Sequence, residues 1–344
     1  RAERSDDDET VPSRWINRLT TLMQGLPQTG GPEALDQMRQ RGKHWLALGQ
    51  ALETPIDTPL APRPSPVPPV LARPTELSVT NIERLIRDPY AIYASKVLRL
   101  RRLNPIQHAP NAMERGTLIH KVFETFVSDT AQDVSLVTED RLMNTAKEVL
   151  NSAVPWPTDR IQWRVRIEKI ARWFVQNETA RRRTATPVLF EESGAMDISQ
   201  PLFRITAKAD RIDIDERGLA LVYDYKTGTA PTENQQMLFD VQLLVIAALI
   251  SEGGFDKIQP RGVEDARYIS LSGDGKEVSA PLLDCPPEKT LAMLIKLIEA
   301  YRDPDMGYTA RNKMHKDVFG SDYDQLSRFG EWDASDAALK VFLT

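Results

Sequence analysis

The strongest constraint on this chain is a pair of patterned runs separated by a short turn. In Leu202-Phe-Arg-Ile-Thr-Ala-Lys-Ala-Asp-Arg-Ile-Asp-Ile214, apolar Phe203, Ile205, Ala207 and Ala209 alternate with Arg204, Thr206, Lys208 and Asp210. A two-residue period of this kind is a strand. After Asp215-Glu-Arg-Gly218, the run Leu219-Ala-Leu-Val-Tyr-Asp-Tyr-Lys226 makes a second strand, with Val222, Asp224 and Lys226 on one face. The two form a hairpin. A type I turn over 215–218 ending in a glycine bulge pairs Asp215 with Leu219, and that register sets Asp210 directly opposite Asp224. Facing carboxylates on adjacent strands repel, and a fold keeps them where a cation offsets the charge. Oxygen ligands without thiolates favour Mg²⁺ or Mn²⁺. Lys226, two residues beyond Asp224 on the same face, can orient or activate a water and stabilise charge on a phosphate. The same spacing also fits a surface hairpin whose acids and lysines form weak salt bridges.

The rest of the chain divides by composition. Residues 1–52 read as short helices, one beginning near Thr10-Val-Pro-Ser-Arg-Trp15 and one over 33–52 carrying Leu35, Met38, Trp45, Leu46 and Leu48. Eight prolines follow between Glu53 and Glu76, which favours extended polyproline and a semi-rigid spacer over 53–76. A globular domain is expected over 77–344. It opens on Thr80-Asn-Ile-Glu83, which has the form of a capping box, ahead of Ile82, Leu85 and Ile86 at helical spacing. The first residue is not methionine, and Trp15, Ile16, Leu19 and Leu22 lie at helical spacing right at the start, so the chain reads as a C-terminal fragment of something longer.

Between 114 and 129, Leu118, Ile119, Val122, Phe123 and Phe126 make one helical stripe, with His120 at its flank on the side of Glu124. His120 therefore borders the core and can face a cleft; a structural role is the commoner one for a lone histidine. A long helix over 161–183 interleaves Arg164, Arg166, Lys169, Arg172 and Arg181-Arg-Arg183 with Trp163, Trp173 and Phe174. This is either a solvated basic face or a grip on phosphates, with Trp163 and Trp173 expected in the core. Arg99, Arg101 and Arg102 form a second basic cluster on a body of net charge −5. No run of about 18 apolar residues is present to suggest a membrane span. The single cysteine, Cys285, forms no internal disulfide and is too few for an iron–sulfur cluster, which fits a cytosolic protein.

Taken in order, Gly116-Thr-Leu-Ile-His120, Ala209-Asp-Arg-Ile-Asp213, Asp224-Tyr-Lys-Thr-Gly228 and Gln242 resemble the RecB-type branch of the PD-(D/E)XK nucleases. More narrowly, Leu77-Ser-Val-Thr-Asn-Ile-Glu83, Arg87-Asp-Pro-Tyr-Ala-Ile-Tyr-Ala94 and Asp322-Tyr-Asp-Gln-Leu-Ser-Arg-Phe-Gly-Glu-Trp332 resemble the C-terminal part of the alphaproteobacterial AddB family of helicase–nuclease subunits. The resemblance implies an α/β fold with a mixed central sheet flanked by helices, behind an N-terminal helical segment that ends a preceding helicase-like region. It implies a metal held by His120, Asp210, Asp224 and the backbone carbonyl of Tyr225, with Lys226 as the catalytic lysine and Gln242, on a helix over 239–250, reaching the site or the DNA. The family often has an aromatic residue four positions after this glutamine; here it is Ile246. Many AddB-type domains also carry an iron–sulfur cluster on four cysteines. The first of those positions is Asp88 here, and 308–332 holds no cysteine, so no cluster is expected. Packing of Tyr323, Leu326, Phe329 and Trp332 is expected to pin the C-terminal segment instead. The activity implied is Mg²⁺-dependent exonuclease cleavage of DNA in double-strand break repair, alongside an AddA-type subunit. A scaffold with a silent site and a free-standing Cas4-like exonuclease are the alternatives.

Overall fold

The computed structural model describes residues 4–5, 8–9, 13–54, 58–103, 106, 109–273, 275–313 and 320–343. They divide into two compact units, 1–60 and 61–344. The first holds the two-residue strands β1 (Arg4–Ser5) and β2 (Asp8–Glu9) and a helical hairpin of α1 (Arg14–Gln24) and α2 (Gly31–Glu53). Gly31 is required at the corner, since a Cβ there would meet the Met23 carbonyl at 2.2 Å. The start of α1 expected near Thr10 falls partly on 10–12, outside the described residues.

The second unit begins earlier than composition suggests. Of the expected spacer, 55–57 lie outside the described residues, but from Ala61 onwards the stretch belongs to the globular unit. There β3 (Pro64–Val67) pairs in parallel with β10 (Leu339–Phe342). Proline at an edge strand costs no ladder bond where its missing N–H would face away from the partner. Arg63 adds hydrogen bonds to the carbonyls of Ala310 (2.9 Å), Arg311 (2.9 Å) and Ala334 (2.6 Å). The proline-rich run is thus a strap that ties the beginning of the unit to its end.

Next come β4 (Glu76–Ser78), α3 (Val79–Arg87), α4 (Pro89–Ile92), α5 (Ala112–Asp129), α6 (Glu139–Ala153) and α7 (Pro157–Arg181). They are followed by β5 (Ala185–Ser199), β6 (Leu202–Asp215), β7 (Ala220–Lys226), α8 (Glu233–Leu238) and α9 (Gln242–Ser251). Last are β8 (Val263–Ser270), β9 (Lys276–Ser279), α10 (Pro287–Ala300) and α11 (Asp324–Ser327), ahead of β10. The expected capping box at α3 is not the one used. Ser78 caps the helix by accepting from Asn81 N (3.3 Å), which frees Glu83 for another partner.

The mixed sheet runs β4-β6-β7-β8-β9, with β5 along the remaining edge of β6. Helices cover both faces, as a two-sided α/β sheet requires. One core gathers α3, α9 and α10 around Ile205, Val222 and Tyr268; the other packs α5, α6 and α7 onto Tyr223, Tyr225 and Ile269. Because β5 occupies one edge of β6, β4 and β7 must share the other. Arg204, Ile205 and Thr206 pair with β4, while Arg211 to Ile214 pair with β7. Positions 207–210 between them have no strand partner on that edge, and this split in the sheet is where the acidic site opens.

The C-terminal segment is pinned by polar contacts as much as by packing. Asp88 accepts from Arg311 N (3.0 Å), and Arg311 pairs with Asp324 (2.8 Å). Trp332 is buried and donates from Nε1 to Ser327 O (2.7 Å), with Phe329 against its ring. Tyr323 reaches the Leu100 carbonyl with its hydroxyl. Leu326 is not an anchor: its side chain is exposed, and only its carbonyl serves, accepting from the Tyr90 hydroxyl.

The basic helix also departs from expectation. Arg164, Arg166, Lys169 and Arg172 face solvent, and Trp163 is buried while Trp173 is half-buried. Arg181 and Arg182, however, turn inward to Glu178, a residue with no exposed surface. Burial of a guanidinium is tolerated only with such pairing, so these two arginines hold the fold rather than offer themselves to phosphates.

Candidate active site

The hairpin turn forms as its sequence requires. Gly218 takes φ +81°, its N–H donates to Asp215 O (3.0 Å), and Asp215 N donates to Leu219 O (3.0 Å). The register that follows pairs Ile214 with Ala220 and Arg211 with Tyr223, and one further step brings Asp210 alongside Asp224. Asp210 sits in the sheet's split, where its Oδ2 accepts from Tyr225 N (2.8 Å) and meets His120 Nε2 (2.7 Å). Tyr225 thus enters through its N–H, while its ring packs beside Phe123 and Phe174 in the helical core. Asp224 is almost fully buried, with Lys226 Nζ 2.7 Å from its Oδ2. Gln242, the first residue of α9, bridges the two: its Nε2 donates to Asp224 Oδ1 (2.6 Å) and its Oε1 accepts from Lys226 Nζ (2.9 Å). Lys226 also lies over the Tyr268 ring, 5.0 Å from its centroid. The helix expected over 239–250 therefore starts three residues late, which places Gln242 at its mouth. Ile246, at the aromatic position of the family pattern, is fully buried in the core.

One residue of the site is absent from the sequence reading. Glu191 on β5 meets His120 Nδ1 at 3.1 Å and forms an ion pair with Lys208. Its φ is +49°, a left-handed conformation that non-glycine residues seldom adopt and that often marks function. The β5–β6 ladder skips it, passing from Phe190–Arg211 to Glu192–Ala209. In the folded chain the buried positions of β5 run 185, 187, 189 and then 194, 196, 198, and the change of phase falls on Glu191-Glu-Ser193.

His120, Glu191 and Asp210 each offer a ligand atom, all within 4.8 Å of one another. Asp224 stands beside this trio rather than within it. An imidazole nitrogen with carboxylate oxygens, and no thiolate, suits Mg²⁺ or Mn²⁺. Glu191 Oε1 and Asp224 Oδ2 are also buried oxygens, and each faces a cationic group, His120 Nδ1 (3.1 Å) and Lys226 Nζ (2.7 Å). Buried charges are paired or coordinate metals, so a divalent ion suits these oxygens.

The charges are arranged to be displaced. Burial alone would lower the His120 pKa, but contact with Asp210 and Glu191 outweighs it and raises it to about 10. Burial, reinforced by Asp210, pushes Asp224 up to about 7. Burial would also lower the Lys226 pKa, yet Asp224 holds it above the usual range, so Lys226 is an ammonium at neutral pH. Below these pKa values protons occupy the ligands, and a metal must expel them. Metal affinity is therefore expected to rise with pH through the neutral range, with release of about one to two protons per ion. Calorimetry of Mn²⁺ binding in buffers of different ionisation enthalpy checks this, and pH-independent binding without proton release contradicts it.

A cleft of about 640 Å³ opens onto these groups, lined by Lys121, Glu124, Lys208 and the 227–229 loop beside His120, Glu191, Asp210 and Lys226. Gly116 keeps one wall close, since a Cβ there would lie 3.2 Å from Thr227 Oγ1.

Comparison with known proteins matches residues 76–317 to the PD-(D/E)XK nuclease superfamily, a span that holds every residue of the site. An uncharacterized protein of Rickettsia bellii is 32% identical over 186 residues, covering 53% of this chain and 22% of that protein. One from Rickettsia conorii is 32% identical over 191 residues, covering 54% and 23%. The matched part is thus under a quarter of the length of these relatives. The crystal structure of SSO0001 aligns at 15% identity and a TM-score of 0.29, over 66% of this chain and 75% of that one. With more than half its length matched, and with acids, lysine and sheet arranged as described, the chain belongs to the PD-(D/E)XK nuclease superfamily.

Proposed function

We propose that this chain hydrolyses DNA phosphodiesters with Mg²⁺ or Mn²⁺, as the exonuclease module of an AddAB-type helicase–nuclease that resects double-strand breaks in the cytoplasm beside an AddA-type subunit. The observation that carries the nuclease reading is the convergence of His120, Asp210, Asp224, Lys226 and Gln242 at the split of the sheet. The narrower reading is supported by the AddB-like residues at 77–94 and 322–332, which the fold brings together through Asp88, Arg311 and Asp324. Among the described residues no helix is long and apolar enough to cross a membrane.

His120, Glu191, Asp210 and Asp224 would hold the ion, together with the Tyr225 carbonyl. A divalent ion there supplies positive charge to a phosphate oxygen and makes nearby water more acidic. The chain's own groups do the rest. Lys226 cannot take up a proton while it is an ammonium; it donates to the attacking water or to the phosphate, oriented by Gln242 and Asp224. Tyr225 N–H fixes the Asp210 carboxylate, and the burial of Asp224 strengthens every charge contact around it. Lys121 and Lys208 stand at the cleft where a DNA strand would run.

Cleavage of linear DNA by the purified chain in Mg²⁺ or Mn²⁺, with closed circular DNA as control, tests the nuclease and exonuclease readings. Cutting of both alike contradicts the exonuclease assignment, and cutting of neither under any divalent ion contradicts the enzyme. Co-purification with an AddA-type subunit tests the complex. Lys121→Glu with Lys208→Glu is expected to weaken DNA binding and to flatten its salt dependence by about 0.9 in log–log slope per lost phosphate contact on duplex DNA. An unchanged slope would place the DNA elsewhere.

A further inference from the structure

We infer that Glu83 is a positioning residue for the cleavage reaction, holding the first turn of α9 so that Gln242 keeps Asp224 and Lys226 in place. The inference rests on the nuclease reading above. The first N–H groups of a helix have no partner within it. At α9 the N-cap is Val241, which offers no side-chain cap. Glu83 fills that role from a different helix, its Oε1 accepting from Gln242 N (3.0 Å). It is free to do so because Ser78 already caps α3.

The consequence lies in Gln242. Both ends of its amide are committed, Nε2 to Asp224 Oδ1 and Oε1 to Lys226 Nζ, so its side chain transmits any movement of its own backbone to both groups. The body of α9 needs no such help, since positions 243–250 are all buried. The irregular residues Phe239, Asp240 and Val241 precede it, and Gln242 itself is only half-buried. The Glu83 bond is the polar tie to the Gln242 backbone itself, beside the Arg87–Asp240 ion pair just ahead of it. Around the carboxylate stand Arg87 on its own helix, Asp240 ahead of α9, Lys226 on β7 and Tyr268 on β8; burial first, then Asp240, raises its pKa to about 7. An oxygen acceptor is present in either protonation state, so the tie survives across neutral pH.

The test uses the full chain with E83A, E83Q, Q242A and E83A/Q242A. E83A is expected to lower kcat on linear DNA by about 10- to 100-fold, the scale on which small misplacements act, while KM and the thermal midpoint stay close to wild type. E83Q keeps an acceptor oxygen and is expected to restore most of the rate. In the Q242A background E83A is expected to cost nothing further, because the two act as one unit. Additive losses, or an E83Q as slow as E83A, would overturn the inference. Amide hydrogen exchange over 239–245 provides a readout that needs no cleavage: it is expected to speed up in E83A and to return towards wild type in E83Q. Unchanged exchange in E83A overturns the inference even if the rate falls. A wild-type chain that cuts no DNA overturns the nuclease reading, whereas the exchange result still decides whether Glu83 holds Gln242.

Discussion

Asp224→Ala is expected to abolish Mg²⁺-dependent DNA cleavage, by at least about 10³-fold, while the protein stays folded. A bound divalent ion contributes several kcal/mol to stabilising a phosphoryl transition state, and each 1.36 kcal/mol is tenfold in rate. Asp224 is positioned to couple that charge to the rest of the site: it neighbours Asp210, pairs with Lys226 and receives Gln242. The fold should tolerate its loss. Burial of this carboxylate costs desolvation, as its raised pKa shows, and the Lys226 ammonium, a third of its side chain exposed, can turn to water when its partner is gone. Asp210→Asn should behave similarly, and Lys226→Ala should lower kcat by about 10²- to 10³-fold, the scale of losing one preorganised donor. His120→Ala is expected to lose less, because water can replace one neutral ligand. Single-turnover cleavage with circular dichroism of each variant decides the matter; undiminished cutting by folded Asp224→Ala would remove the site.

The parts of this site that could be read in the sequence are those encoded by local pattern. The hairpin needs only period two, a four-residue turn and Gly218, and its register then carries Asp210 to Asp224 without any knowledge of the rest of the fold. His120 is legible for the same reason, as a polar residue at the flank of an apolar helical stripe. Glu191 is not, since its approach depends on a strand that changes phase in mid-course. Glu83 mimics a capping residue in the sequence and acts on a helix more than 150 positions away. The proline-rich strap misleads because polyproline and an edge strand both lie in the broad β region of backbone angles, and the partner β10 is what makes it a strand. Arg181 and Arg182 mislead because composition shows charge but not the buried acid that receives it.

That acid carries the second large effect. Glu178→Ala is expected to destabilise the globular unit by about 3–5 kcal/mol, the usual result of removing one member of a buried ion network. Glu178 has no exposed surface; its Oε2 accepts from Arg211 Nη1 (2.7 Å) and Arg181 Nε (3.2 Å), and its Oε1 accepts from Arg182. Arg211, equally buried, is held on its other side by both oxygens of Asp213, at 2.6 Å each. Without Glu178, the guanidinium groups of Arg181, Arg182 just past the end of α7, and Arg211 on β6 would face one another, with Asp213 and Glu277 left to balance them. Burial would raise the Glu178 pKa, but the three arginines outweigh it and hold it at about 2. Its folded pKa lies below the ordinary 4.5, so the stability it adds is fully present above that pH and is lost as pH falls towards 2. The difference between wild type and Glu178→Ala should therefore be largest near neutrality and shrink in acid. The damage should also reach the active site, because Arg211 Nη1 contacts the Tyr225 hydroxyl (3.3 Å) and Tyr225 N–H fixes Asp210. Urea unfolding followed by tryptophan fluorescence, with Trp163 and Trp173 on the same helix as reporters, measures the loss. A change below about 1 kcal/mol at neutral pH, the range of an exposed pair, would mean that the arginines find water or other partners when the acid is gone.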